Sequence, residues 1–283
     1  MSFKDLLFAT FTYPDATPDR ALRSGVALAA RLGGKLTLLA ARIDLPELHN
    51  RLANAFIDLD GMAADQEAQS AATAERAARC VAVAAEEAGV EVADLPRTAK
   101  LYEEGPCISA AARTRDVCLV AIGPEVAIGR SVAEAVLFES GRPVIVFPER
   151  VEVLAAPHFG TVAIAWDGGA RAARAVADAM PLLAAAAQVR ILVVTDDKPR
   201  TQAGAGADLV RHLRAHGVSR VVVDEAPIGD RDIGRALADY VANHDASLLV
   251  MGGFGHARAR EFVLGGATQR MLEAPPCPIL MSH

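Results

Sequence analysis

The sequence predicts an α/β protein: two tandem open sheets, each of about five parallel strands flanked by helices. Three observations carry this reading. Short apolar runs rich in Val, Ile, Leu and Ala alternate with Ala-rich stretches of helical length, the pattern of βαβ crossovers on a parallel sheet. The same order of runs occurs twice along the chain. The second copy then carries a glycine-rich turn between an apolar run and a helical stretch.

In the first copy, residues 3–10 read as an apolar strand ending in a polar loop, 20–32 as a helix and 36–41 as a second strand. Residues 159–166, 171–187 and 189–195 repeat that order. Further on, the strand Val117-Cys118-Leu119-Val120-Ala121-Ile122-Gly123 matches Ser247-Leu248-Leu249-Val250-Met251-Gly252. The closing strand Arg142-Pro143-Val144-Ile145-Val146 matches Cys277-Pro278-Ile279-Leu280-Met281. The domains are drawn at residues 1–148 and 159–283, and the proline-bearing stretch 148–158 is their linker. An excursion over residues 45–70 runs into a helix over about 71–88. Leu48, Leu52, Phe56, Ile57 and Leu59 make it partly apolar. That suits a segment laid over the sheet; a lid or a dimer contact is the sharper alternative.

Composition sets the outer limits. A chain of 283 residues suits about two domains. With 52% of residues apolar and 23% charged, it can build a core, which excludes a disordered chain. The net charge is −6 and no Lys/Arg run occurs, so the basic footprint of a nucleic-acid binder is missing. The apolar segment Leu6-Leu7-Phe8-Ala9 is too short for a secretory leader, and no window resembles a membrane span. Cys80, Cys107, Cys118 and Cys277 are scattered, without a CxxC pair. They read as buried thiols of a protein in a reducing cytoplasm.

The chemistry concentrates in the second copy. Leu248-Leu249-Val250-Met251 runs into Gly252-Gly253-Phe254-Gly255; nine residues later comes Gly265-Gly266-Ala267-Thr268. Glycine lets backbone N–H groups approach a ligand closely, and a helix start adds unpaired donors and partial positive charge. Together they suit phosphate. The first copy is six residues shorter between Gly123 and Pro143 than the second between Gly252 and Pro278. It places Glu125 where phosphate would sit, a poor electrostatic match. Only the second copy is therefore expected to hold a nucleotide, the first serving as its packing partner.

Other candidates are weighed beside it. Asp167, before Gly168-Gly169, caps the next helix or meets ribose or a Mg²⁺ ion. His256, Arg258 and Arg260 either contact phosphate or form a solvated loop with Glu261. Asp208, His212 and His216 share one helical face; a solvent stripe is the reading preferred to a metal site. Asp230-Arg231-Asp232 reads as a locally paired loop. No Gly-Lys-Ser/Thr follows a glycine loop, and neither a Gly-x-Ser-x-Gly elbow nor a Cys/His pair occurs. Fast phosphoryl transfer lacks its parts; slow hydrolysis on backbone donors and Mg²⁺ stays open.

With these residues in view, the chain resembles the universal stress protein family in its tandem form. Gly252, Gly255 and Gly265 fall at the spacing of that family's phosphate signature, and Pro-Cys-Pro-Ile-Leu resembles its last strand. Gly266 departs from it, standing where the family has Ser or Thr; Thr268 offers a hydroxyl further on. The resemblance implies a Rossmann-like fold of the adenine nucleotide alpha hydrolase-like kind, with ATP, with or without Mg, as a structural or signalling ligand in the stress response. It implies that Ala165 and Trp166 border the nucleotide and that Asp167 matches the Asp ending the family's first strand. Val194 would meet adenine through its backbone. Met251, Gly252, Gly255, Gly265, Gly266 and Ala267 would surround ribose and phosphates. The position matching Asp167 in the first copy falls at Thr12-Tyr13. Alternatives are a nucleotide-free interaction scaffold with a decayed site, a slow ATP hydrolase, and an enzyme activating its substrate through AMP. The chain is expected to act as a pseudo-dimer of its two halves, or as a homodimer pairing through the apolar final strand.

Overall fold

The fold is described from a computed structural model, over residues 3–46, 58–149, 159–194, 204, 206–227, 232–253 and 266–283. The first half contains β1 (Asp5–Thr10), α1 (Asp19–Leu32), β2 (Lys35–Asp44), α2 (Leu59–Ala88), β3 (Val92–Asp94), β4 (Arg97–Lys100), α3 (Glu104–Ala112), β5 (Val117–Ile122), α4 (Gly129–Glu139) and β6 (Val144–Pro148). The second contains β7 (Thr161–Trp166), α5 (Ala170–Ala185), β8 (Gln188–Val194), α6 (Gly206–Ala215), β9 (Val221–Ala226), α7 (Ile233–Asn243), β10 (Ala246–Gly252), α8 (Gly266–Glu273) and β11 (Ile279–Ser282).

The central strands are continuous apolar runs because helices cover both faces of a parallel sheet. Leu6, Leu7, Phe8 and Ala9 of β1 are fully buried, as are Val117 to Ala121 of β5. Helix α1 turns Ala21, Leu22, Val26 and Leu28 inward. It stops at Gly33, whose φ of 77° is a left-handed cap that a Cβ would strain.

The strands lie in the order β3-β2-β1-β5-β6-β11-β10-β7-β8-β9, with β4 beside β2. Each half thus has the same internal order, and each pairing within a half is parallel. The two final strands pair antiparallel, Val146 with Ile279, Ile145 with Leu280 and Val144 with Met281. The two predicted sheets are therefore one continuous sheet. The apolar edge of the final strand, offered above as a route to a homodimer, is instead covered by β6 of the same chain. Arg31 stacks on the Phe159 ring at 4.5 Å, and Arg130 reaches Glu273 at 3.1 Å; both contacts join the halves.

Three expectations shift. Helix α2 begins at Leu59, well before residue 71, because Asp58 accepts the Gly61 N–H at 3.0 Å and starts the helix there. Leu48, Leu52, Phe56 and Ile57 lie outside the described residues. The linker does not begin at Pro148: that residue ends β6, and Glu149 after it is buried. Of the thiols, Cys118 and Cys277 are buried, while Cys80 and Cys107 are only partly so. No described helix is long and apolar enough to cross a membrane.

Two predictions follow from the seam and its neighbourhood. Leu280 is fully buried opposite Ile145, so Leu280→Ala should cost about 2–5 kcal/mol in urea unfolding. Burial pushes the Cys277 thiol from 9.0 up to about 12. The folded state thus favours the protonated thiol, a contribution fully present below about pH 9 and lost as pH rises toward 12. The urea midpoint should fall across that range, and fall less in Cys277→Ala.

Candidate functional site

Chain connections diverge at β7: it leads on to β8 on one side, while β10 flanks it on the other. In an open parallel sheet such a divergence leaves a crevice outside the carboxyl ends of the strands. The sequence-predicted residues gather there. Met251 pairs with Ala165, Trp166 with Val193, one residue before Val194, and Asp167 follows β7. Met251 is buried, while Ala165, Trp166 and Val194 are half-buried against the core.

Gly252 ends β10 hard against the first turn of α5. A Cβ there would fall 2.7 Å from the Ala172 amide nitrogen, so only glycine allows this approach. Helix α5 starts at Gly169 without a side-chain cap. Asp167 does not cap it; its Oδ1 accepts the Gly169 N–H at 2.8 Å, a local turn over two residues. Asp167 is half-buried at the crevice lip, a carboxylate suited to a hard cation.

The next turn is tied down. The Gly253 N–H donates to the Ser282 carbonyl at 2.8 Å, so this donor serves the sheet and is not offered to a ligand. A Cβ on Gly253 would lie 2.6 Å from Leu137 Cδ2; the turn rests on α4 of the first half. Helix α8 then opens at Gly266, which is exposed; Ala267 is half-buried and Thr268 only 3% exposed. Thr268, whose hydroxyl was offered above as a phosphate contact, is thus buried at the start of α8. Gly255, His256, Arg258, Arg260, Glu261 and Gly265 lie outside the described residues, as do Asp230 and Arg231.

Asp232, read from sequence as a loop residue, caps α7 by accepting the Arg235 N–H at 3.0 Å. Its Oδ1 would also be 3.4 Å from a Cβ on Gly266. A carboxylate therefore stands at the start of α8, where the helix dipole favours negative charge. Asp208, His212 and His216 are exposed, and among the described residues no group of three such side chains gathers as a metal site. Arg190, Asp224 and Tyr240 form a cluster resembling acid–base machinery, Arg190 to Asp224 at 2.8 Å. Burial, then the bond to Asp224, raises the Tyr240 hydroxyl above its usual range, which marks a structural donor, not a base.

The matching crevice of the first half, between β1 and β5, is closed by its own side chains. Glu149 follows β6 and is 7% exposed. Its Oε1 accepts the Glu125 N–H at 2.8 Å, and Arg20 Nε donates to its Oε2 at 3.1 Å. Arg20 also reaches Glu125 at 2.6 Å, near the surface. The carboxylate filling the position is therefore Glu149; the Glu125 side chain, assigned that role above, is exposed. At the other lip, the Ile43 N–H donates to Ser70 Oγ at 2.9 Å, and Ser70 Oγ lies 2.7 Å from Thr12 Oγ1. Glu149 escaped the sequence reading because its partners are distant in the chain.

Fold and strand order together define an open α/β unit, present twice with the same strand order. Residues 158–283 match the family model of the universal stress protein family. The second half is thus a universal stress protein domain, and a first half of the same strand order fits the tandem form of that family. Among solved structures, the chain is similar to a universal stress protein from Archaeoglobus fulgidus DSM 4304: TM-score 0.71, 18% identity, covering 98% of this chain and 95% of that one. It is also similar to a functionally unknown protein from Pseudomonas aeruginosa PAO1: TM-score 0.53, 15% identity, covering 98% and 92%. These likenesses concern the fold. No curated protein matches the sequence.

The packing of Gly252 generates a prediction independent of any ligand. Gly252→Ala must push α5 away from β10, and should lower stability by about 1–3 kcal/mol, measured by urea unfolding without added nucleotide.

Proposed function

We propose that the second half, residues 159–283, binds ATP at the carboxyl ends of β7 and β10, with the nucleotide acting as a structural or signalling ligand in a stress response. The observation that carries this is the contrast between the two crevices. One is filled by Glu149 and Arg20; in the other, Ser282 ends the last strand and turns its hydroxyl to Asp178 at 2.9 Å. Phosphate would be held by backbone donors after Gly253 and at Gly265, Gly266 and Ala267, with His256 and Arg258 adding charge. Ala165, Trp166 and Val194 would border the base, and Asp167 would orient ribose or hold Mg²⁺. The first half, residues 1–148, serves as a built-in partner, so the chain behaves as a pseudo-dimer.

A second reading is favoured by a specific observation. Gly252 and Gly253 each have a packing reason to be glycine, which is what a nucleotide-free scaffold also requires. Calorimetry of the full chain with Mg–ATP separates the two. Binding of one ATP per chain, with a rise in thermal midpoint, is the expected outcome, and Gly265→Asp should abolish both. A heat-flat titration together with an unshifted midpoint would leave the scaffold. Release of ADP over time would add slow hydrolysis.

A further inference from the structure

We infer that the first half retains an oxyanion-binding crevice and that Glu149 fills it as a tethered anion. Three observations build the site, none of them a helix terminus. The carboxylate is buried and accepts both a backbone N–H from the turn after β5, Glu125, and the guanidinium of Arg20 at the start of α1. Burying a carboxylate is tolerable only with such donors. Gly123 follows β5, two residues beyond Ala121, which the strand registers place at the Gly252 position in correction of the sequence match; a Cβ on Gly123 would sit 2.3 Å from Glu149 Oε1, so its space is given to this carboxylate. Finally, the backbone after β6 is fixed so that the side chain enters the crevice. The Glu149 N–H donates to the Ile122 carbonyl at 3.2 Å, and Ser24 Oγ donates to the Glu149 carbonyl at 3.2 Å.

The class of ligand follows from the donors. A backbone N–H beside a guanidinium suits a carboxylate or a phosphate oxygen. With Glu149 present the position is taken, and no free anion is needed. With Glu149 cut back to Ala, the Glu125 N–H and Arg20, which keeps its pair with the Glu125 carboxylate near the surface, face a gap the size of a carboxylate, which a small anion from solution can enter. The first half is thus self-liganded, and its crevice is latent, not lost.

Chemical rescue tests this on the full chain. The thermal midpoints of wild type, Glu149→Ala, Glu149→Gln and Glu149→Ala/Arg20→Ala are compared in sodium formate, sodium phosphate and sodium chloride at equal ionic strength. Glu149→Ala should lose stability in chloride and recover most of the loss in formate or phosphate, with a saturable dose response. Wild type should show no such recovery. Glu149→Gln still fills the gap and should not be rescued, and the double variant lacks the cation and should not be rescued either. Anion binding in the second half is common to all four proteins and cancels in the comparison. A folded Glu149→Ala that responds alike to the three salts overturns the inference, as does rescue that survives the loss of Arg20. If Glu149→Ala is unfolded in chloride, refolding from urea is read instead: recovery in formate or phosphate alone supports the tethered anion, and no recovery in any salt overturns it.

Discussion

The antiparallel pairing of β6 with β11 is the constraint on which the rest of the architecture hangs. The strand order within each half leaves its last strand at an edge, and both last strands are apolar: Val144 to Phe147 and Ile279 to Met281 are fully buried. An exposed edge of that kind pairs with whatever it meets. Here each edge covers the other. Because the pair is antiparallel, the two sets of parallel strands point in opposite directions. The two crevices, each at carboxyl ends, therefore open at opposite ends of one sheet. Each lies beside the far end of the other half's helices, which is why Gly253 rests on Leu137 and why Arg130, at the start of α4, meets Glu273 at the end of α8. Leu137 of the first half thus flanks the turn after β10.

The same geometry explains why one residue changes the character of a crevice. The position after the last strand looks into the crevice from its edge. Glu149 there supplies a negative charge that must be met, and Arg20 and the Glu125 N–H meet it. In the second half Ser282, the last residue of β11, carries no charge and finds Asp178 on α5. The donors of the first crevice and its carboxylate depend on one another: the carboxylate without donors would be a buried unpaired ion, costing several kcal/mol. Nothing of this sort is required at Ser282.

The central strands were legible in the sequence because buried parallel strands are continuous apolar runs, as Leu6 to Ala9 and Val117 to Ala121 show. The start of α2 was not: Asp58 and Gly61 resemble a loop, and only the Asp58 carboxylate on the Gly61 N–H makes them a helix start. The crevice residues Ala165, Trp166, Asp167, Met251 and Gly252 were legible because each directly follows or ends an apolar run. What closes or props the crevices was hidden. Glu149 and Arg20 are brought together by the sheet from opposite ends of the first half, and Leu137 reaches Gly253 across the seam. The loss of the Gly253 N–H to Ser282 depends on the register of β10 with β11, which no local pattern encodes.

Gly252 shows why packing and ligand binding are poor alternatives at such a turn. The strand end approaches the first turn of α5 so closely that a Cβ would meet the Ala172 amide. That approach also brings the start of α5, which its N-cap Gly169 leaves without a side-chain cap, to the lip of the crevice. Close packing is thus the means by which backbone donors converge, and the glycine would be required with or without a nucleotide. Gly253 is committed to the sheet and to Leu137 in the same way. A requirement for glycine at either position consequently carries no information about phosphate. The positions able to discriminate are those not consumed by packing: Gly266 is exposed and clear of close backbone contact, with Gly265 next to it in sequence. With Asp232 already beside the start of α8, a further carboxylate at Gly265 would add like charge where an incoming phosphate needs donors.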